Sequence, residues 1–325
     1  MSMSEKEKNV LIIYNPAAGK GTAGKKIPSV RRMFEDKGIK VKSFATKGKD
    51  DAYRAAVKFS KRYTGADGRS YLVAVGGDGT INEVMRGVID SGCDIPVGII
   101  PTGSTNDFGY SLGISGSFDE KARKTLEAID SDSVFECDTA TLNGKYFVYT
   151  VSFGLFSDVS YKTPRKLKNI LGHAAYIVCG ALSLVHLKKI RTEIEYDGEH
   201  VEKDLLLGMA VSAKSVGGFR NITGKGVCLD DGMHEMMLVT WPKNIGELFG
   251  TVKQAVSLMS GKGGSEKTDI SDGGYGIYLI KAKNIEFHFN GKVPFSADGE
   301  DGGAYETAKI NVINKRIRYL CRERP

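Results

Sequence analysis

Cysteine is scarce in this 325-residue chain. Cys93, Cys137, Cys179, Cys228 and Cys321 are odd in number and form no C-x-x-C. That disfavours a disulfide scaffold or a thiolate zinc site and suits reduced thiols in a cytoplasm. The opening residues, MSMSEKEKN, lack the apolar core of a secretion signal. No basic run is interleaved with aromatics, as in single-strand and RNA binders, so nucleic acid is the least favoured anionic partner. Internal repeats and low-complexity tracts are missing too. One long stretch is without charge, Ile170 to Leu187, and it approaches the length of a membrane span, about 18 residues. Two His, two Gly and a Ser leave it only moderately apolar, so a buried or surface-packed helix is expected there.

What is present is a globular, turn-rich composition: 40 glycines, 41% hydrophobic residues and a formal charge of +7, which favours nucleotides or anionic lipid surfaces as partners. The length suits roughly two domains of about 150 residues. From residue 9 to about 130, strands expected at 10–14, 39–45, 71–75 and 96–100 alternate with helices at 22–37, 50–62, 80–90, 104–112 and 119–130. This alternation predicts an α/β domain with a parallel sheet. From about 135 the pattern changes to β-runs with the turn pairs Asn143-Gly144, Asp197-Gly198 and Asn290-Gly291, each predicting a hairpin, so the second domain is expected to be antiparallel. Helical inserts are expected near 166–188 and 244–260, and AKINVINKRIRYLCRERP reads as a last strand with a basic tail.

The segment NVLIIYNPAAGKGTAGKK (Asn9 to Lys26) has a phosphate-loop layout: an apolar strand, a glycine turn and then a helix, which aims unpaired N–H groups at an anion. Two familiar signatures nearly fit. Gly19, Gly21 and Gly24 spell G-x-G-x-x-G, but Asn15 to Ala18 separate them from the strand, and the next strand ends in Thr46 rather than an acid that could hold a ribose. Gly19 to Lys25 also matches G-x-x-x-x-G-K, but Lys26 follows where a magnesium-binding hydroxyl is needed.

YLVAVGGDGTINEVMRGVI carries more. A buried strand, Tyr71 to Val75, runs into Gly76-Gly77-Asp78-Gly79-Thr80 and then a helix with Asn82 and Glu83 in its first turn. The glycines admit a polyphosphate to the backbone. A carboxylate there repels phosphate unless magnesium lies between, so Asp78 points to metal–nucleotide chemistry; by itself, D-G would be only a capped turn. A third loop, VGIIPTGSTNDFGYSLGI, puts Gly103, Ser104, Thr105, Asn106 and Asp107 at another strand end.

NPAAGKG, GGDGTINEV and PTGSTNDFGYSLGI, in that order and spacing, resemble the diacylglycerol kinase catalytic-domain family, soluble bacterial lipid kinases related to sphingosine kinases and NAD kinases. The similarity continues through VSFGLFSDVSYKTPRKLKNILGHAAYIVCGALSL, LDDGMHEMMLV and SADGEDGG, so it covers nearly the whole chain. It implies an ATP-binding α/β domain over 1–135, a β-sandwich-like lipid-substrate domain over 136–305, and a segment 306–325 returning to the first domain. It also implies ATP on Asn15, Pro16, Ala17, Ala18, Gly19, Lys20, Thr46, Gly76, Gly77, Asp78, Gly79, Thr80, Asn82, Glu83 and Ser104, with Lys20 facing the phosphates and Asp78 holding Mg2+. Ser104 stands where the family usually has Thr, and Tyr110 where it often has a basic residue.

The implied reaction moves the γ-phosphoryl of ATP to a lipid hydroxyl, and the proton acceptor is Glu300 or Asp298 in the D-G-E turn. The resemblance implies a structural magnesium turn at Cys228, Asp231 and Met233, with the Asp231 carboxylate and the Cys228 and Met233 backbone carbonyls as ligands, although ITGKGVC precedes them where proline and alanine are usual. Arg165, Lys166 and Lys168, then the uncharged segment and Lys188-Lys189, suit an anionic membrane surface or a core helix with solvated ends. A cytoplasmic, peripherally membrane-associated kinase is therefore expected, with a homodimer possible in principle. Another acceptor (a different glycerolipid, a sphingoid base or NAD) or a non-catalytic nucleotide sensor are the alternatives.

Overall fold

The computed structural model describes residues 7–19, 21–63, 69–155, 188–220, 226–259, 267–322 and 324–325. The helix expected near 166–188, the basic residues Arg165, Lys166 and Lys168, and Lys20 lie outside them. The chain forms two compact units, Met1–Cys137 with Lys315–Pro325, and Asp138–Asn314.

In the first unit, strands β1 (Lys8–Tyr14), β2 (Lys40–Ala45), β3 (Arg69–Gly76) and β4 (Val97–Pro101) pair in parallel in the order β2-β1-β3-β4. Helices α1 (Ala23–Glu35), α2 (Asp51–Tyr63), α3 (Asp78–Asp90), α4 (Asp107–Ser111) and α5 (Phe118–Asp130) fall between or after them. β3 is buried at every position after Arg69, a continuous apolar run instead of an alternating one, as a parallel strand covered on both faces requires. α2 and α3 pack closely because Gly87 has no side chain: a Cβ there would lie 2.7 Å from the Tyr53 carbonyl. Ser117 and Glu120 cap α5 reciprocally, satisfying two amides that would otherwise be unpaired. The last residues of the long strand β15 (Glu300–Leu320) join β4 through Tyr319 opposite Val97.

The second unit is strand-rich and antiparallel. Its main strands are β7 (Thr150–Gly154), β9 (Glu199–Val211), β12 (His234–Thr240), β13 (Ile277–Ala282) and β14 (Asn284–Ala297), with β8 (Ile190–Tyr196) pairing β9 and β14. β5 (Val134–Leu142) and β6 (Lys145–Phe147) form a hairpin, and α6 (Ile245–Met259) is the helix expected near 244–260. Phe153, Phe287, Phe289 and Phe295 build an aromatic core, with Phe153 5.0–5.1 Å from each of the other three ring centroids.

Asn143-Gly144 and Asp197-Gly198 are the two-residue hairpin turns that the sequence predicts, with positive φ at both residues of each pair, as a type I′ turn demands. Asn290-Gly291 is not a hairpin. β14 runs straight through it, and the pairing with β15 only shifts register between His288 and Val293. Gly291 has positive φ but Asn290 does not, so the turn cannot close. Phe287 and Phe289 on one side and Phe295 on the other also enter the same core, which holds the strand extended. The hairpin forms further on, at Asp298-Gly299 (φ 51° and 81°), where Ala297 pairs with Glu300.

Candidate functional site

Within the first unit, loops leave the C-terminal ends of four neighbouring strands. After β1, Asn15 donates its backbone N–H to the Val75 carbonyl (3.0 Å), and its side-chain Oδ1 accepts from the Ala17 N–H (2.9 Å), so the side chain closes the turn through Pro16, Ala17 and Ala18. Gly19 follows at φ +61°, where a Cβ would be strained and would meet Thr22 Oγ1 at 3.1 Å. After β2, the Thr46 N–H donates to the Tyr14 carbonyl (2.9 Å), which fastens this loop beside the first.

β3 and β4 deliver the other two. The Thr102 N–H donates to the Gly76 carbonyl (2.8 Å), and a Cβ on Gly103 would lie 2.9 Å from Gly77 Cα. The two loops thus touch through glycine backbone. Gly76 itself has room for no side chain, because a Cβ would sit 2.6 Å from Thr80 Cβ. Gly77 begins α3 with no side-chain cap, so no capping side chain occupies the first amides of that helix, those an anion at a helix N-terminus would use.

Asp78 is the first residue of α3. Its Oδ2 accepts from Thr105 Oγ1 (2.8 Å), while Oδ1 is buried with no hydrogen-bond partner. Burial pushes the carboxyl above its usual range; the Thr105 hydroxyl opposes this, the Asp107 charge adds to it, and the backbone N–H groups of Phe108 and Asp107 oppose it more weakly. Asn82 Oδ1, Thr102 Oγ1 and Asn106 Oδ1 are likewise buried without partners on the same two strand-end segments. An unsatisfied buried polar atom costs about 1–3 kcal/mol, so four together are a site built for a polar ligand or a cation. This donor set fits magnesium-bound polyphosphate: one carboxylate to hold the ion, and amides and hydroxyls for phosphate and ribose. Thr80 and the exposed Ser104 border it.

Sequence reasoning missed Thr102, and it named Thr105 and Asn106 only as loop residues. Asn106 takes left-handed φ (50°), and its Nδ2 donates to the Gly103 carbonyl (2.9 Å), so it shapes the third loop. Glu83 has a different task from the nucleotide contact that the resemblance implies. Its two oxygens accept from the backbone N–H groups of Asp50 and Ala52 (3.1 Å each), which fixes the start of α2.

In the second unit, Asp298 and Glu300 flank the β14–β15 turn. The Asp298 carboxylate accepts three backbone N–H groups, from Val148 (2.6 Å), Tyr149 (2.9 Å) and Thr150 (3.0 Å). Glu300 is exposed at the first position of β15. Charge-assisted bonds of this kind contribute about 1.5–3 kcal/mol each, and asparagine keeps one acceptor oxygen while turning an NH2 towards an N–H. Asp298→Asn is therefore expected to lower unfolding stability by about 2 kcal/mol, as read by thermal melts.

Cys228, Asp231 and Met233 do not present an open cation site. Asp231 Oδ1 accepts from the Met233 N–H (3.1 Å), and Oδ2 faces Lys281 Nζ (3.1 Å). The same ammonium reaches the Gly226 carbonyl (2.9 Å) and Glu235 Oε1 (3.2 Å). Cys228 directs its thiol to Asp230 (3.2 Å). Glu235 is buried, and burial raises its pKa to about 7 against the opposing pull of Lys281. The Asp231 carboxylate is thus engaged by an ammonium of this chain.

Comparison with known proteins agrees with the first unit's chemistry. Residues 9–140 match the diacylglycerol kinase catalytic domain. The chain is 31% identical over 305 residues to a diacylglycerol kinase of Bacillus subtilis (strain 168), covering 94% of both chains. It is 29% identical over 310 residues to one of Staphylococcus haemolyticus (strain JCSC1435), covering 95% of this chain and 87% of that one. In fold it is similar to a crystal structure of a diacylglycerol kinase from Bacillus anthracis str. Sterne, with a TM-score of 0.71 at 20% identity, covering 99% of this chain and 98% of that one.

Proposed function

Because the chain belongs to the diacylglycerol kinase catalytic-domain family and is a lipid kinase, we propose that it transfers the γ-phosphoryl group of ATP to the hydroxyl of diacylglycerol, giving phosphatidic acid. The observation that carries this is the Asp78 carboxylate: half-committed to Thr105, half-orphaned, and set where the glycine loop opens α3. ATP is bound by the first unit, on the loop Asn15 to Gly19, on Thr46, on the amides from Gly77 to Gly79, on the Thr80 hydroxyl, and on Asn82 and Ser104. Magnesium, held by Asp78, supplies neutralisation of the phosphate charge.

The second unit supplies the acceptor's side. The bond from the γ-phosphorus to its bridging oxygen breaks, a bond to the lipid oxygen forms, and the hydroxyl proton passes to a carboxylate. Glu300 is that acceptor, because the oxygens of Asp298 are already engaged by three amides; Asp298 positions the turn that presents Glu300. The protein works from the cytoplasm on a membrane surface, where its substrate resides.

The test is magnesium-dependent transfer of labelled γ-phosphate to diacylglycerol in mixed micelles, with other glycerolipids, a sphingoid base and NAD run beside it. Transfer to diacylglycerol at least tenfold above the other acceptors supports the proposal, and transfer to another acceptor alone overturns it. Glu300→Gln is expected to cut the rate by about 10²–10⁴-fold, the usual contribution of a general base. If Asp298→Asn loses activity and Glu300→Gln does not, the two roles are exchanged.

A further inference from the structure

α6 carries an unusual surface. Among the described residues, six large hydrophobic side chains are exposed, and four of them belong to this one helix: Ile245 (72%), Phe249 (71%), Val252 (51%) and Val256 (59%). At 3.6 residues per turn, these four positions fall within about 60° of one another, a single stripe along the helix. The opposite side is anchored: Thr251 and Leu258 are buried, and the Gln254 side-chain amide donates from Nε2 to the Ile277 carbonyl and accepts at Oε1 from the Ile277 N–H (2.8 Å each). A fifth exposed hydrophobic, Tyr275, lies against the helix, since a Cβ on Gly250 would meet its ring at 2.9 Å. The stripe is thus fixed on the surface by contacts made on the other face.

Among the described residues near the stripe, the exposed lysines are Lys243 and Lys253, and the acids are engaged: Asp272 accepts from the Tyr278 hydroxyl (2.6 Å) and interacts with Lys267. The helix has a single acid, Glu247, and it is turned back onto the helix start, where it accepts from the Lys243 N–H (2.7 Å) and Asn244 Nδ2 (3.2 Å). Lys243 and Lys253 are exposed beside the stripe, and Lys267 is held against Tyr275, with its Nζ 2.7 Å from the Tyr275 carbonyl and 5.5 Å from the ring centroid. A fixed apolar stripe bordered by lysines and an aromatic with a polar tip is the pattern of a helix that lies in the interface of an anionic bilayer.

We infer that the Ile245–Phe249–Val252–Val256 face of α6 is a docking surface for an anionic lipid bilayer, with Lys243 and Lys253 meeting the headgroups. This rests on the lipid-acceptor proposal only in naming the partner: a lipid kinase has to meet a bilayer, and this is the face whose apolar area and charge complement one. The bilayer is favoured over a second copy of the chain because the lysines bordering the stripe would face their own like charges across a symmetric pairing.

The experiment is sedimentation of the full chain with vesicles of phosphatidylcholine, with and without phosphatidylglycerol, in the absence of ATP and diacylglycerol. Wild type is expected to sediment with the anionic vesicles. Phe249→Ser with Val252→Ser should weaken binding by at least about tenfold at low and high salt, because inserted apolar area is lost. Lys243→Gln with Lys253→Gln should weaken it at low salt only. All four positions are exposed, so the thermal midpoints should match wild type and exclude misfolding as the cause. The inference is overturned if wild type ignores anionic vesicles, if the serine variant binds as wild type does, or if the serine changes convert a dimer to a monomer and leave vesicle binding intact. Transfer to a water-dispersed short-chain diacylglycerol, measured on wild type alone, separates failure of docking from failure of the acceptor assignment.

Discussion

Asp78→Asn should reduce phosphoryl transfer by about a hundred- to a thousandfold, the scale of losing one preorganised electrostatic group, while leaving the protein as stable as before or slightly more so. The two halves of that expectation have one cause. Asp78 is held where its charge is disfavoured: burial raises its carboxyl pKa, Oδ1 finds no donor, and Asp107 is close enough to repel it. The Thr105 hydroxyl and the Phe108 and Asp107 amides offset only part of that cost, since the carboxyl pKa stays raised, so removing the charge relieves the remainder, and asparagine can still accept from Thr105. The ligand that does repay it is a cation. Magnesium with ATP should therefore raise the melting temperature of wild type and have little effect on the variant, because a ligand stabilises only the protein that binds it. A variant with activity within tenfold of wild type would remove Asp78 from the chemistry. One that melts like a core substitution would reduce it to a helix cap.

The parts of this site that were legible in the sequence are those that depend on neighbours in the chain. A strand, glycines and a helix start are local, and they placed Asn15 to Gly19, Gly76 to Thr80 and the loop at 103–106 correctly at strand ends. The helix expected at 104–112 shrinks to Asp107–Ser111 because Asn106 takes left-handed φ and delays the start. What could not be read were roles set by distant partners. Glu83 looks like a nucleotide ligand until its carboxylate is seen to cap α2, 31 residues away in sequence. Asp298 looks like a base in a D-G-E string until its oxygens are found on amides about 150 residues upstream. Hairpins show the same limit: Asn143-Gly144 and Asp298-Gly299 both turn, while Asn290-Gly291, with equally good local chemistry, is held open by the aromatic core on either side of it.

Lys281 is the sharpest case, and it carries the second large expected effect. It lies 50 residues beyond Asp231, too far for any local pattern to connect them. Yet its ammonium meets the Asp231 carboxylate, the Glu235 carboxylate and the Gly226 carbonyl together, the oxygen-rich surroundings a divalent ion would otherwise need. Glu235 is the residue at stake: its side chain is only 6% exposed, and Oε2 is buried with no partner. Removing one member of a buried pair leaves the other uncompensated and costs about 3–5 kcal/mol. Because Glu235 takes up a proton near pH 7, Lys281→Met should cost little more than an exposed ion pair at neutral pH and about 3 kcal/mol by denaturant unfolding at about pH 9, where the carboxylate has to stay charged or be protonated against the solvent. Adding Glu235→Gln should restore most of the loss, since a neutral amide needs no counter-charge. The same logic makes wild type indifferent to chelation: in the absence of nucleotide, its melting temperature should not move when EDTA replaces magnesium. If EDTA lowers it and magnesium restores it, while Lys281→Met costs no more than an exposed ion pair even at the higher pH, then the turn at Asp231 is held by a metal and the ammonium is incidental.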